Sequence, residues 1–236
     1  MNARRAPNQL LAAVMAEAGV SNNGGAELND STDMMRDHWW WRPGWRLGRS
    51  FYTWHITFSQ NPQLTDFSSR HKQTIDRFET LDKVPFSGLH VTLQGIGFVD
   101  EVDRADIDHI IAATQVRCSR LQAFEIEIGP TVVDTEGVYA PVHPIETVTE
   151  LRKALRAGIG DIWGEGNVWE SIEGFRPHLT LAYSNGAGSI RDIEMTLKAN
   201  NPGTVRATIS TVSLIDLNRD RRLYEWSEVA TVRLGQ

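Results

Sequence analysis

Three segments of the chain alternate apolar and polar residues with the two-residue period of a half-buried β-strand, and each sets a His two positions before a Thr. These are His55 and Thr57 in FYTWHITFS, His90 and Thr92 in LHVTLQGIGFV, and His178 and Thr180 in FRPHLTLAYS. Strand side chains alternate faces, so each imidazole and its hydroxyl point the same way, about 7 Å apart. A chain with seven His shows roughly one such pair by chance. The near-identical frames HVTL and HLTL therefore ask for a fold in which separate strands present matching polar faces.

Helical periodicity separates these strands. Leu64, Phe67, His71, Ile75, Phe78 and Leu81 recur at three- or four-residue steps and predict a helix that ends before Pro85. Asp103 to Val116 reads as a second helix with Ile107, Ile110 and Ile111 inward. FEIEIGPTVVDTEGVYAPV follows as two short strands joined near Gly129 and Pro130. Thr147 and Glu150 stand at capping-box spacing, which predicts the start of a third helix running towards Ile159. Ser189 to Ala199 is a fourth, and TVRATISTVSLIDL with YEWSEVATVRL forms a closing hairpin around NRDRR. No fixed short repeat appears, which excludes solenoids and propellers. Ahead of the periodic region, residues 1–35 read as a flexible tail with one short amphipathic stretch, Gln9 to Ala18. Residues 36–50, dense in Trp and Arg, read as an irregular strap on a domain spanning 51–236.

Composition bounds the function. With 236 residues and 41% of them apolar, the chain can bury one large core or two small ones, so disorder throughout is excluded. No apolar stretch nears the roughly 20 residues of a membrane-spanning helix. The start is too short and interrupted in its apolar part for a secretory signal, so a cytoplasmic location and no membrane partner are expected. Lone Cys118 builds neither an intramolecular disulfide nor a Cys-rich zinc site, and reads as an apolar filler or a partly exposed thiol. A net charge of −6 argues against coating extended nucleic acid, which depends on phosphate neutralisation, yet leaves room for one phosphate pocket. His143 with Glu146, and Asp106 with Asp108 and His109, lack zinc or calcium spacing, and there is no P-loop, full GxGxxG or GxSxG elbow. No cofactor and no metal are expected.

Two His on separate strands suit one reaction class. In-line displacement at phosphorus needs a base beside the attacking oxygen and an acid beside the leaving oxygen, on opposite sides of the phosphorus. Imidazole serves either role near neutrality, and the Thr hydroxyls can donate to the nonbridging oxygens. His90-Val91-Thr92-Leu93 and His178-Leu179-Thr180-Leu181 resemble the paired His-x-Thr/Ser signatures of the 2H phosphoesterase superfamily, and the chain from about Phe51 to Leu234 is most similar to its bacterial 2′-5′ RNA ligase (LigT-like) branch.

The resemblance implies a bilobal α+β fold, each lobe an antiparallel sheet backed by helices, with the motifs facing across a central cleft. It implies metal-independent hydrolysis or formation of phosphodiesters at ribose 2′ and 3′ oxygens, the substrate being a nucleotide or RNA end. His90 becomes the general acid, His178 the general base, and Thr92 and Thr180 the phosphate ligands. The chain departs from the family at Tyr183, where a basic residue is common, and at Gly95-Ile96-Gly97, so substrate preference is where it is expected to differ.

His55 and Thr57 read as a polar strand face at the cleft rim or in solvent, with an extra phosphate or base contact as the sharper alternative. Arg176 shares the face of His178 and can meet a phosphate or a structural carboxylate. Tyr183 has the opposite parity and points away unless the strand bulges. The Trp/Arg strap reads chiefly as apolar strapping, with base stacking as the alternative. Asn218, Arg219, Arg221 and Arg222 read as a solvated turn, with guidance of an RNA end as the alternative. The competing functions are RNA 2′-5′ ligation, cleavage of a signalling oligonucleotide at the same site, and a non-catalytic nucleotide or RNA-end sensor.

Overall fold

The computed structural model describes residues 33–58, 61–200 and 203–235; the amphipathic stretch at Gln9 to Ala18 and nearly all of the expected tail fall outside them. The chain runs β1 (Phe51–Thr57), α1 (Pro62–Ile75), β2 (Leu81–Lys83), β3 (His90–Phe98), α2 (Arg104–Cys118), β4 (Phe124–Ile128), β5 (Val132–Asp134), β6 (Gly137–His143), α3 (Ile145–Trp163), β7 (His178–Ser184), α4 (Ile190–Asn200), β8 (Val205–Ile209), β9 (Thr211–Asn218) and β10 (Glu225–Arg233).

The strands form an α+β fold of two antiparallel halves, β10-β9-β1-β3 and β7-β6-β4-β8, with β2 on β7 and β5 on β6. The halves meet edge to edge at β3 and β7 through the single pair Val91↔Leu179, so the two expected sheets make one continuous, curled sheet. Helices α2 and α3 pack on each other, α2 also against β10 and α3 against β3; α1 packs with α4 and against β8. Val91 and Leu179 are fully buried in the same apolar cluster as Phe67, Ile107, Ile110 and Leu151. Burial of that size stabilises by roughly 1.5–3 kcal/mol per side chain. It fixes which face of β3 and β7 is core, and hence sends His90, Thr92, His178 and Thr180 to the other.

Local chemistry sets the ends of the helices. Asn61 caps α1 by accepting from the backbone N–H of Gln63 and Leu64, with Pro62 in the first turn. The expected run to Leu81 is cut short: α1 stops at Ile75, and Leu81 opens β2 paired with Ser184. The expected capping box is also corrected. Helix α3 begins at Ile145 after Pro144, so Thr147 and Glu150 lie inside it, and Pro144 has no polar side-chain group to cap with. The segment expected to hold two strands holds three, because β5 and β6 form a hairpin of their own. No helix among the described residues is long and apolar enough to cross a membrane.

Candidate active site

Antiparallel pairing of Val91 with Leu179 sets His90 across from Thr180 and Thr92 across from His178 on one face, a diagonal arrangement with approximate two-fold symmetry. All four line a cleft of about 250 Å3. The symmetry extends to the imidazoles. His90 Nδ1–H donates to the carbonyl of Gly88 at 2.8 Å, and His178 Nδ1–H donates to the carbonyl of Arg176 at 2.9 Å. A carbonyl only accepts, so each ring is held in the Nδ1–H tautomer with Nε2 left as a basic nitrogen. Burial lowers the pKa of both. That of His90 comes down to about 4, with the nearby His178 adding to the effect, while the carbonyl bonds pull both the other way.

Each motif is followed by the same irregularity. Trp54 pairs with Gln94 and His55 with Thr92, so Leu93 is an extra residue in β3; Val138 pairs with Ala182 and Tyr139 with Thr180, so Leu181 is an extra residue in β7. A bulge re-aims the side chains beyond it. In β7 it brings Tyr183 onto the cleft face, meeting the condition under which strand parity would have included it. Tyr183 is buried with its hydroxyl turned towards Thr180, and burial pushes its phenol pKa up. The position matching Tyr183 in β3 is Gly95, where a side chain would come within about 3.0 Å of the Phe51 ring and 3.1 Å of the Glu170 carboxylate.

His55 is neither at a rim nor solvated. It is 1% exposed, stacked on His90 with ring centroids 4.4 Å apart, and its Nε2 lies 3.2 Å from Thr92 Oγ1. Burial, then the charge of a protonated His90, keeps it neutral, its pKa well below the ordinary value. Nδ1 is buried without a partner, and an orphan donor is rarer than an orphan acceptor, which favours the proton on Nε2. Thr92 then accepts from His55 and keeps its own hydroxyl hydrogen for the cleft. Tyr139 holds the corresponding place beside Thr180 and makes an edge contact with His178 at 5.2 Å. Thr57 lies off the cleft wall, its hydroxyl 3.5 Å from Ser213 Oγ. Arg176 lines the cleft just ahead of β7 and is exposed.

The strap supplies a further wall. Its backbone bonds to the second half through Arg36 and His38, with Met35 just ahead of it bonded there too, and Trp45 then packs on Phe51 and Phe98 of the first. Trp39 and Trp45 are buried, whereas Trp40 and Trp41 are exposed. His38 donates from Nδ1 to Glu136 at 3.0 Å, accepts at Nε2 from the Tyr224 hydroxyl at 2.9 Å, and stacks on Tyr183 at 4.2 Å. Burial takes the His38 pKa down to about 4 against the pull of Glu136. Burial alone would raise Glu136, but the His38 hydrogen bond and the charges of Arg42 and Arg36 bring it down to about 2. On the far wall Arg152 pairs with Glu170 and, with Arg156, holds Gln94. Cys118 is buried in α2, away from the cleft, and burial pushes its thiol up to about 11. Among the described residues no group of three or more His, Cys, Asp or Glu could hold a metal ion.

Comparison with known proteins gives the family and the fold. A model of the 2′-5′ RNA ligase superfamily matches residues 67–221. The fold is similar to that of TT0787 of Thermus thermophilus, with a TM-score of 0.61 at 17% identity over 80% of this chain and 99% of that one. E. coli LigT in apo form aligns over the same shares with a TM-score of 0.59 at 13% identity. LigT complexed with 3′-AMP does so with a TM-score of 0.54 at 13% identity. No curated protein sequence matches the chain.

Proposed function

Because the chain belongs to the 2′-5′ RNA ligase superfamily, we propose that it is a phosphodiesterase that opens 2′,3′-cyclic phosphates of nucleotides or RNA ends without a metal, with His90, His178, Thr92 and Thr180 as its working residues. One observation carries the reading: two imidazoles related by the Val91↔Leu179 pair, each locked as the Nδ1–H tautomer, present basic Nε2 atoms to one cleft with a Thr hydroxyl beside each. The binding of 3′-AMP by LigT, a protein of the same fold, is in keeping with a ribose phosphate as ligand.

In this scheme His178 Nε2 takes a proton from water as its oxygen attacks phosphorus. The bond from phosphorus to the ribose 3′ oxygen breaks, and His90, which takes up a proton at Nε2 when the anionic phosphate lies beside it, delivers that proton to the oxygen, leaving a 2′-phosphate. Thr92 and Thr180 donate to the nonbridging oxygens as charge builds on them. His55, through Thr92, is a positioning residue. Arg176 at the mouth of the cleft offers its guanidinium to the phosphate or the neighbouring ribose. Ligation would run the same site in reverse, with the two His exchanging roles.

The test is hydrolysis of 2′,3′-cyclic nucleotides in the presence of a chelator, with product identified by mass spectrometry. His90→Ala and His178→Ala should each lower the rate by at least about 10²-fold. Unchanged rates in both variants would overturn the proposal, and tight product binding without turnover in the wild type would make the protein a nucleotide sensor.

A further inference from the structure

The hairpin tip between β9 and β10 departs from the solvated basic turn expected of it. Arg221 and Arg222 do lie outside, paired with Glu225 and Asp37. Arg219 turns inward instead: it is 3% exposed and lines the same cleft as the His and Thr residues. Its Nη2 donates to the carbonyls of His38 at 3.0 Å and Trp40 at 3.3 Å, so the strap is folded over it. Its guanidinium lies 5.6, 5.8 and 5.7 Å from the ring centres of Trp39, Trp45 and Tyr224.

What sets Arg219 apart is its missing counter-charge. The other buried arginines each have a carboxylate: Arg42 has Glu136, Arg49 has Asp100 and Glu101, and Arg152 has Glu170. Among the described residues Arg219 forms no ion pair, and its Nε and Nη1 donate to none of them. A buried charge without a partner is costly, and aromatic faces return only part of that cost. A guanidinium with unspent N–H groups facing a cleft is matched in shape and charge by a phosphate. Tyr224 bridges this point to the His/Thr centre, since its ring also lies 6.1 Å from that of His90. The two ends of the cleft are therefore within reach of one nucleotide.

We infer that Arg219 is a second anion subsite and that the substrate carries a second phosphate besides the one at the His/Thr centre, either a 5′-phosphate or the next internucleotide phosphate. This rests on the proposed reading of that centre as a phosphate site. It would also give the strap a role in recognition, because His38 and Trp40 hold the guanidinium in place through their carbonyls.

Calorimetric titration of the full chain at one low, fixed ionic strength tests it, with adenosine 3′-phosphate, adenosine 3′,5′-bisphosphate and the 3′-phosphorylated dinucleotide ApAp as probes. At least one of the two doubly anionic families, terminal or internucleotide, should bind about tenfold or more tighter than adenosine 3′-phosphate, and which one does identifies the source of the second phosphate. Arg219→Gln should abolish the gain, and Arg219→Lys, a point charge in place of a fork, should cut it at least about threefold. Equal affinity for all three ligands in the wild type, or an undiminished gain in the variants, overturns the subsite. If Arg219→Gln melts early, the Arg219→Lys series decides alone. Absence of turnover on cyclic substrates, with the Arg219-dependent gain intact, would refute the phosphodiesterase reading and leave the subsite standing.

Discussion

At the scale of single residues, the cleft depends on neutral groups whose proton positions are dictated by their neighbours. His90 and His178 are oriented by carbonyls, His38 by Glu136, and His55 by the lack of any partner at Nδ1. His55→Ala removes the donor that orients Thr92, and a hydrogen bond of about 1 kcal/mol corresponds to roughly fivefold in kcat/KM. His55→Gln keeps a donor and should recover part of the loss. Wild-type kinetics for His55→Ala, with the thermal midpoint unchanged, would show that the His55–Thr92 bond is packing alone. His90, Thr92, His178 and Thr180 were legible in the sequence because the two-residue period of a strand puts each pair on one face whatever surrounds it. Tyr183 was not, because a single extra residue, Leu181, reverses the parity beyond it. Arg219 was not, because nothing in NRDRR distinguishes the one side chain that turns inward from its exposed neighbours.

At the scale of elements, regular periodicity carried further than end signals. The stripes Leu64, Phe67, His71, Ile75 and Ile107, Ile110 are the buried faces of α1 and α2. Helix ends were read less well, since Thr147 and Glu150 have capping-box spacing inside α3 and a spacing carries no information about which residue the preceding loop delivers. The contact between α2 and α3 rests on Gly158, where a side chain would meet the Thr114 backbone at about 3.0 Å as well as its hydroxyl. Gly158→Ala gains up to about 1 kcal/mol of helix propensity but overpacks that contact, and a net loss of about 1–3 kcal/mol is expected. Denaturant unfolding checks it: a lower midpoint at unchanged slope is the expected result, and a higher midpoint would mean that the two helices separate at little cost.

At the scale of the whole molecule, two sheet halves joined by one residue pair are tied a second time by the strap, and the joint is lined with buried imidazoles. Burial holds His38 and His90 to about 4, and lowers His55, His71 and His178 as well. A folded pKa below the unfolded one means that the unfolded chain takes up protons first as pH falls through about 6.5. For His38 and His90 stability is thus lost between there and about pH 4, at up to about 1.4 kcal/mol per pH unit each, and the other three act in the same direction. Glu136 acts in a lower window, because its contribution is present above the ordinary carboxylate range and lost only towards pH 2. Thermal or denaturant unfolding at pH 7, 6, 5 and 4.5 should show a steady fall, and a flat profile would mean that these imidazoles take up protons without unfolding. The sequence by itself determined the α+β alternation and the two His-x-Thr faces, because strand and helix periods are local properties of the chain. Only the tertiary structure decided that β3 and β7 lie side by side in the register that crosses the motifs, that the strap closes over them, and that Arg219 enters the cleft without a counter-charge. Strand register, bulges and the burial of a charge are set by which distant surfaces meet, and no local pattern records that.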